Sequence, residues 1–197
     1  MTRTLPEYIN GKPYVELLSY GEKHSMGHSG TIALNHFAGK KHLTFLEVGV
    51  LRGHNAEVML DAFGDQLDTM ILVDPWDFCA ETHVNNWADT WFRMQGRRNA
   101  IVIKATSEDA SKILNMNFDY AFIDGDHTGG DLSPGNPQDG IRMDIKLWWP
   151  RIKEGGILSG HDYNYENIMA EVDKVFGDKV NSSPPHPMGG QEWWVFK

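Results

Sequence analysis

The chain has 197 residues, 41% of them hydrophobic, which is enough for one well-buried domain and short for two. Its 18 basic and 27 acidic residues give a formal net charge of −9, which disfavours a nucleic-acid backbone as the main partner. The single cysteine, Cys79, cannot form an internal disulfide. With no N-terminal apolar segment and no run near ~18 apolar residues, the sequence predicts a cytoplasmic protein without a membrane partner.

Residues 1–42 begin as a polar, turn-rich lead. A helix is predicted from Ser29 or Thr31 to Phe37, because Gly39 follows as a helix-ending residue. This segment precedes the first strongly apolar stretch of the chain.

Residues 43–54 are predicted to form a buried strand followed by a glycine turn. A nearly continuous apolar run is typical of a parallel strand covered on both faces. Gly49 and Gly53 then allow the backbone to turn tightly, and residues 55–62 have helical spacing. The apolar positions of the strand are Leu43, Phe45, Leu46, Val48 and Val50.

The glycine turn does not match the dinucleotide-binding pattern G-x-G-x-x-G, because Leu51 stands where a second close-approach glycine is needed. Glu-x-Gly-x-x-x-Gly instead resembles motif I of class I S-adenosylmethionine-dependent methyltransferases. The resemblance implies that residues 1–42 form a substrate lid and residues 43–197 the S-adenosylmethionine-binding domain. A turn that serves only strand-to-helix packing is the alternative. The implied cofactor contacts here are Glu47, Gly49, Val50 and Gly53.

Residues 70–74 form a second predicted strand that ends at Asp74. A carboxylate at this position, next to the first strand, can accept hydrogen bonds from both ribose hydroxyls of an adenosine cofactor. Pro75 and Trp76 follow directly, and the indole could lie against the adenine or belong to the core. Residues 81–95 then have helical spacing, with a predicted core stripe at Val84, Trp87, Trp91 and Met94.

Residues 100–103 are predicted as a third strand and residues 106–114 as a helix capped by Thr106 or Ser107. In the methyltransferase family the corresponding turn touches the adenine. The resemblance therefore makes Ser107 and Glu108 candidate cofactor contacts, with simple helix capping as the alternative.

Two further strands are predicted to end in acids and histidines. Phe118 opens a strand that leads into Asp124, Asp126 and His127, and residues 156–160 lead into His161 and Asp162. Because neighbouring parallel strands end at one edge of a sheet, these carboxylates should lie close together and repel one another. A divalent cation would resolve the repulsion, and this donor set suits Mg²⁺, with Mn²⁺ or Ca²⁺ as alternatives.

Residues 43–165 resemble the small-molecule O-methyltransferases that act on sugar or phenolic hydroxyls with a bound metal. The resemblance rests on Phe-Ile-Asp-Gly-Asp-His, on Asp-Ile-Lys-Leu-Trp-Trp-Pro and on Lys-Glu-Gly-Gly-Ile-Leu-Ser-Gly-His-Asp-Tyr in that order. It implies that Asp124, His161 and Asp162 hold the metal, that Asp124 also contacts the cofactor, and that Asp126 or His127 is the general base. His161 occupies a position where the family often has a second acid. The loop at residues 128–137 is longer than the loop that the family usually has there.

The remainder of the chain completes an α/β pattern. Ile141, Ile145, Trp148 and Ile152 lie at helical spacing, residues 163–176 are predicted as a helix, and short strands are expected near Val180 and at residues 192–196. The predicted fold is a single-domain α/β, doubly wound, mostly parallel seven-stranded sheet with one antiparallel strand, the Rossmann-like methyltransferase fold.

The predicted activity is transfer of a methyl group from S-adenosylmethionine to a hydroxyl of a small molecule, a sugar or a phenol, with metal assistance. A homo-oligomer is left open, because an apolar helix face can serve core or interface alike. Three alternatives remain at this point: an NAD-dependent oxidoreductase, a metal-dependent hydrolase or oxygenase, and a non-catalytic nucleoside-binding protein.

Overall fold

The computed structural model describes residues 8–9, 12–13, 27–76, 83–125, 137–185 and 190–197. Two short strands pair antiparallel in the lead, and six helices accompany a larger sheet within the described residues. The strands are β1 (Tyr8–Ile9), β2 (Lys12–Pro13), β3 (Leu43–Val48), β4 (Leu67–Asp74), β5 (Ala100–Lys104), β6 (Phe118–Ile123), β7 (Ile152–Gly160), β8 (Asn181–Ser182) and β9 (Trp193–Phe196). The helices are α1 (His28–His36), α2 (His54–Phe63), α3 (His83–Met94), α4 (Ser107–Ile113), α5 (Pro137–Trp148) and α6 (Glu166–Phe176).

The large sheet, as far as the chain is described, has seven strands in the order β5-β4-β3-β6-β7-β9-β8. Strands β3 to β7 are parallel, and β9 runs antiparallel to both of its neighbours. The predicted fold class, a mostly parallel sheet with one antiparallel strand, is therefore confirmed. The winding changes direction at β3, because the chain adds β4 and β5 on one side before it adds β6 and β7 on the other.

Each central strand supplies side chains to both faces of the sheet. Phe45 packs with the cluster that includes the apolar faces of α1 and α2, whereas Leu46, the next residue, packs with α5 and α6 on the opposite face. On β4, Leu72 packs on the same face as Phe45, and Ile71 packs on the same face as Leu46. Burial on both faces explains why these strands are continuously apolar in sequence.

The structure differs from the predicted elements at several boundaries. Ile152 begins β7, where it pairs with Phe118, and does not extend the helical stripe that ends at Trp148. Pro150 lies in a short 3₁₀ turn between helix and strand, because proline disrupts a continuing α-helix. Trp91 is half exposed and not part of the core, although it was predicted to belong to the core stripe. The lead, which was predicted only to be polar and turn-rich, contains the β1–β2 pair.

Among the helices that the structure describes, none combines the length and the apolar character needed to cross a bilayer.

Candidate functional site

A cavity of about 610 Å³ opens at the carboxyl ends of the parallel strands. It lies where the winding changes direction at β3, which is the usual position of ligand sites in open α/β sheets. The turns after β3, β4 and β5 form its walls together with residues from α3 and α5. The lining residues are Val48, Gly49, Leu51, Val73, Asp74, Pro75, Trp76, Asn86, Thr106, Ser107, Glu108, Asp124, Gly125, Gly140, Met143 and Asp144.

The turn after β3 requires glycine at position 49. Gly49 has a φ of 82°, and a Cβ added there would lie 2.0 Å from the carbonyl oxygen of Asp124. The β3 turn and the end of β6 therefore approach more closely than any side chain permits. Gly53, with a φ of 74°, packs against Thr90 of α3 and does not line the cavity.

Asp74 holds the glycine turn in place. Its Oδ2 accepts hydrogen bonds from the backbone N–H groups of Val50 and Leu51, both at 2.9 Å. Its Oδ1 accepts one from the backbone N–H of Trp76 at 2.8 Å. A carboxylate has about four lone-pair sites, so one remains for a ligand in this arrangement. Asp74 also lines the cavity, and in this arrangement it can accept one further hydrogen bond, whereas the predicted ribose contact requires two.

Glu47 lies beneath the turn and not on the cavity wall. Its side chain is 2% exposed, and its Oε2 accepts a hydrogen bond from the Asn55 side chain at 3.1 Å. Burial raises the pKa of Glu47 to about 8, the negative charges of Asp124 and Asp74 add to this, and the Asn55 hydrogen bond opposes it. Glu47 is therefore mostly protonated at neutral pH, and its hydrogen bond to Asn55 joins the end of β3 to the first turn of α2.

Trp76 forms part of the wall after β4. It is buried, it has a φ of 44°, and its indole N–H donates to the carbonyl of Leu51 at 2.8 Å. Its ring meets Trp87 edge to face at a centroid distance of 4.7 Å, and Trp87 in turn lies 6.1 Å from Trp91. Of these three tryptophans, Trp76 lines the cavity.

The wall after β5 is fixed by two side-chain hydrogen bonds. Thr106 is the N-cap of α4, because its hydroxyl accepts from the backbone N–H of Asp109 at 3.1 Å. Ser107 is not the cap; its Oγ accepts from the indole N–H of Trp148 at 2.8 Å. Glu108 follows with a half-exposed side chain, and all three residues of the 106–108 turn line the cavity.

Among the lining residues that were not predicted from the sequence, Asn86 and Asp144 are both polar and buried. Asn86 on α3 is 8% exposed, and Asp144 on α5 is 5% exposed. The available signal for Asp144 was its position within the stripe formed by Ile141, Ile145 and Trp148, where a carboxylate interrupts an apolar helix face. For Asn86 the sequence offers no comparable signal, since a single amide on an amphipathic helix is unremarkable.

The ends of β6 and β7 bring Asp124, His161 and Asp162 together, and we call these three residues the rim triad. The Nδ1 atom of His161 lies 2.9 Å from Oδ1 of Asp162 and 3.6 Å from Oδ1 of Asp124. One potential ligand atom from each residue lies within 4.8 Å of the others. Asp162 has a φ of 62°, an uncommon conformation for a non-glycine residue. The predicted bases, Asp126 and His127, lie outside the described residues.

His161 offsets much of the repulsion between the two acids. The hydrogen bond to Asp162 is the main cause that raises the pKa of His161 to about 9, against burial, and the charges of Asp124, Asp162 and Glu192 contribute. The imidazole is therefore protonated at neutral pH in this arrangement. The triad also has the donor set for a cation, since two carboxylates and one imidazole converge, and a bound metal would replace the Nδ1 proton.

One carboxylate connects the start of helix α1 to the chain segment near the rim triad. Glu192, just before β9, accepts a hydrogen bond from the backbone N–H of Ser29 at 2.7 Å, in the first turn of α1. Gly190, two residues earlier, lies so close to the His161 ring that an added Cβ would be 2.4 Å from Nε2. The start of α1 is thus tied to the chain that borders the rim triad.

A protein-family model described as a methyltransferase domain matches residues 46–163. This segment contains both the glycine turn and the rim triad. Comparison with curated protein sequences gives no significant match.

Several solved structures share the fold. An O-methyltransferase from Bacillus cereus in complex with SAH is 13% identical, with a TM-score of 0.60 over 93% of this chain and 90% of that one. An rRNA methylase from Streptococcus thermophilus is 13% identical, with a TM-score of 0.63 over 86% and 93%. A precorrin-6y C5,15-methyltransferase from Geobacter metallireducens is 12% identical, with a TM-score of 0.59 over 98% and 93%. At such identities the likeness is one of fold, and it does not identify the acceptor.

Proposed function

The chain belongs to the S-adenosylmethionine-dependent methyltransferases, and on that basis we propose that it methylates a hydroxyl oxygen of a small molecule, a sugar or a phenol. The observation that carries the proposal is the double position of Asp124. This residue lines the cavity and is also a member of the rim triad. A donor in the cavity would therefore present its methyl group beside the groups that can activate an acceptor.

The walls of the cavity suit the donor better than a dinucleotide. Four carboxylates line it, and none of the described lining residues is lysine, arginine or histidine. A pyrophosphate would face this negative lining without a compensating charge, whereas a sulfonium and an ammonium group would be stabilised by it. The four carboxylates belong to Asp74, Glu108, Asp124 and Asp144.

Methyl transfer from a sulfonium makes modest demands on the protein. The acceptor oxygen must lie opposite the sulfur, and water must be kept from the methyl carbon. The acceptor hydroxyl must also lose its proton, which is the role proposed for Asp126 or His127. We assign the donor contacts to the cavity walls and this proton transfer to the rim.

The proposal includes a divalent cation, Mg²⁺ or else Mn²⁺ or Ca²⁺, held by Asp124, His161 and Asp162. The convergence of their potential ligand atoms within 4.8 Å supports this assignment. When bound, the cation would lower the pKa of the acceptor hydroxyl and help to orient it.

We propose a small acceptor and not a nucleic acid, although the solved structures with this fold include rRNA methylases. A polynucleotide would need lysine or arginine near the site to neutralise its phosphates. The described cavity wall and the rim triad supply carboxylates instead. The formal net charge of −9 points in the same direction.

Calorimetry with S-adenosylhomocysteine on Asp74→Ala and Asp124→Ala tests this division of roles. Asp74→Ala should lose at least about ten-fold in affinity, because its carboxylate holds the turn and faces the ligand. Asp124→Ala should bind S-adenosylhomocysteine within a few-fold of the wild type and show no methyl transfer to a panel of phenols and sugars. Equal loss of affinity in both variants would refute the assignment of Asp124 to the acceptor chemistry.

A further inference from the structure

The rim triad differs from an all-oxygen cation site in one residue. Asp124 and Asp162 supply carboxylate oxygens, whereas His161 supplies a ring nitrogen. Mg²⁺ and Ca²⁺ are hard cations that prefer oxygen ligands, and imidazole is a better ligand for transition metals. The nitrogen of His161 can therefore decide which cation the triad prefers, if it faces the two acids and is held there.

The ring nitrogen that faces the acids is Nδ1. It lies 2.9 Å from Oδ1 of Asp162 and 3.6 Å from Oδ1 of Asp124. Two ligands at right angles on a cation, each about 2.1 Å from it, are about 3 Å apart. The observed separations are of this size, so a single cation can bind Nδ1 and both oxygens after small adjustments of the side chains.

The backbone around His161 holds the ring in place. The N–H of His161 donates to the carbonyl of Ile123 at 3.1 Å. Two residues later, the N–H of Tyr163 donates to the carbonyl of Gln191 at 2.9 Å. Gly190 lies against the Nε2 edge of the imidazole, because a Cβ added there would be 2.4 Å from both Nε2 and Cε1. The ring is therefore restricted from moving away from the acids, and Nδ1 is a preorganised donor.

We infer that the rim triad binds Mn²⁺ in preference to Mg²⁺ and Ca²⁺, and that the Nδ1 atom of His161 sets this preference. Of the three cations, Mn²⁺ is the transition metal, and it accepts both carboxylate and imidazole ligands. The inference rests on the proposed function and selects one cation among the three named there.

The chain offers a matched control in His42. Its Nδ1 atom also lies 2.9 Å from a carboxylate oxygen, Oδ2 of Asp68. The two side chains are 83% and 53% exposed, and among the described residues they belong to no group of three potential ligands. A substitution at His42 therefore removes a histidine that is paired with one acid and leaves the rim triad intact.

The test titrates Mn²⁺, Mg²⁺ and Ca²⁺ separately into the protein by calorimetry, at one fixed pH and without donor or acceptor. The wild type should bind Mn²⁺ at least about ten-fold more tightly than either of the other cations. His161→Asn replaces the nitrogen donor with a neutral amide oxygen, so it should reduce each of these ratios at least about three-fold. His42→Asn should leave both ratios unchanged.

Spectroscopy of the wild type gives a second measurement that does not depend on the folding of a variant. The electron spin-echo envelope of bound Mn²⁺ should show modulation by a coordinated imidazole nitrogen, and His42→Asn should show it as well. Wild-type Mn²⁺ without this modulation refutes the inference. So does a wild type that binds Mg²⁺ or Ca²⁺ as tightly as Mn²⁺, or a His161→Asn variant with unchanged ratios. A wild type that binds none of the three cations refutes the cation in the proposed function instead.

Discussion

The buried acid Glu47 makes the stability of this protein depend on pH in a calculable way. Its pKa is about 8 in the fold, against an ordinary value of 4.5, chiefly because burial disfavours the carboxylate. The folded state therefore keeps the proton over a pH range in which the unfolded chain has lost it. Stability from this group is fully present below pH 4.5 and is lost as the pH rises through about 8.

The size of the effect follows from the same values. A difference of 8 − 4.5 = 3.5 pKa units corresponds to about 5 kcal/mol in full, at about 1.4 kcal/mol per unit. Between about pH 5 and about pH 8, proton linkage gives a loss of about 3 kcal/mol of unfolding free energy from this one residue.

Urea denaturation of the wild type and of Glu47→Gln across this pH range isolates the contribution. Glutamine keeps an acceptor for the Asn55 side chain and cannot ionise. The wild type should therefore lose about 3 kcal/mol more than Glu47→Gln between about pH 5 and about pH 8. Glu166→Gln, at an exposed acid in the first turn of α6, should follow the wild type. If the unfolding free energies of the wild type and Glu47→Gln changed in parallel with pH, the conclusion that Glu47 is protonated in the fold would be refuted.

Three other substitutions give direct tests. Gly49→Ala should abolish S-adenosylhomocysteine binding in calorimetry and lower the unfolding free energy by more than about 2 kcal/mol. Gly96→Ala, where φ is also positive but the space is open, should lower the unfolding free energy by only about 1–2 kcal/mol and leave binding intact. Equal effects of the two substitutions would exclude the contact between position 49 and Asp124 as the cause. Thr106→Ala should lower the unfolding free energy by about 1 kcal/mol in urea, through loss of the α4 cap, and no loss would contradict that role. Trp148→Phe should weaken S-adenosylhomocysteine binding several-fold, because Ser107 loses its indole partner, and an unchanged dissociation constant would show that this anchor does not shape the wall.

The sequence was sufficient for the features that depend on local patterns. The apolar run of β3 predicted a strand covered on both faces, and the division of Phe45 and Leu46 between two cores is the reason for that run. The glycine turn and Asp74 could both be predicted, because each directly follows or ends a strand that the apolar pattern identifies. In the structure Gly49 has a positive φ and Asp74 lines the cavity.

Features that depend on contacts between distant segments could not be predicted in this way. The hydrogen bond between Ser29 and Glu192 joins residues 163 positions apart, and neither residue carries a motif. Asp144 lines the cavity because of the rotation of α5, which is set by packing against the sheet. Ile152 continued the helical spacing but pairs with Phe118 in the sheet, since tertiary pairing overrides a short periodicity.

A crystal structure grown with S-adenosylhomocysteine and Mg²⁺ tests the central claim most directly. We predict the ligand in the cavity between Asp74 and Ser107, with its sulfur toward Asp124, and a cation coordinated by Asp124, His161 and Asp162. Electron density for the ligand outside this cavity, or an Asp74 carboxylate turned away from it, would contradict the account.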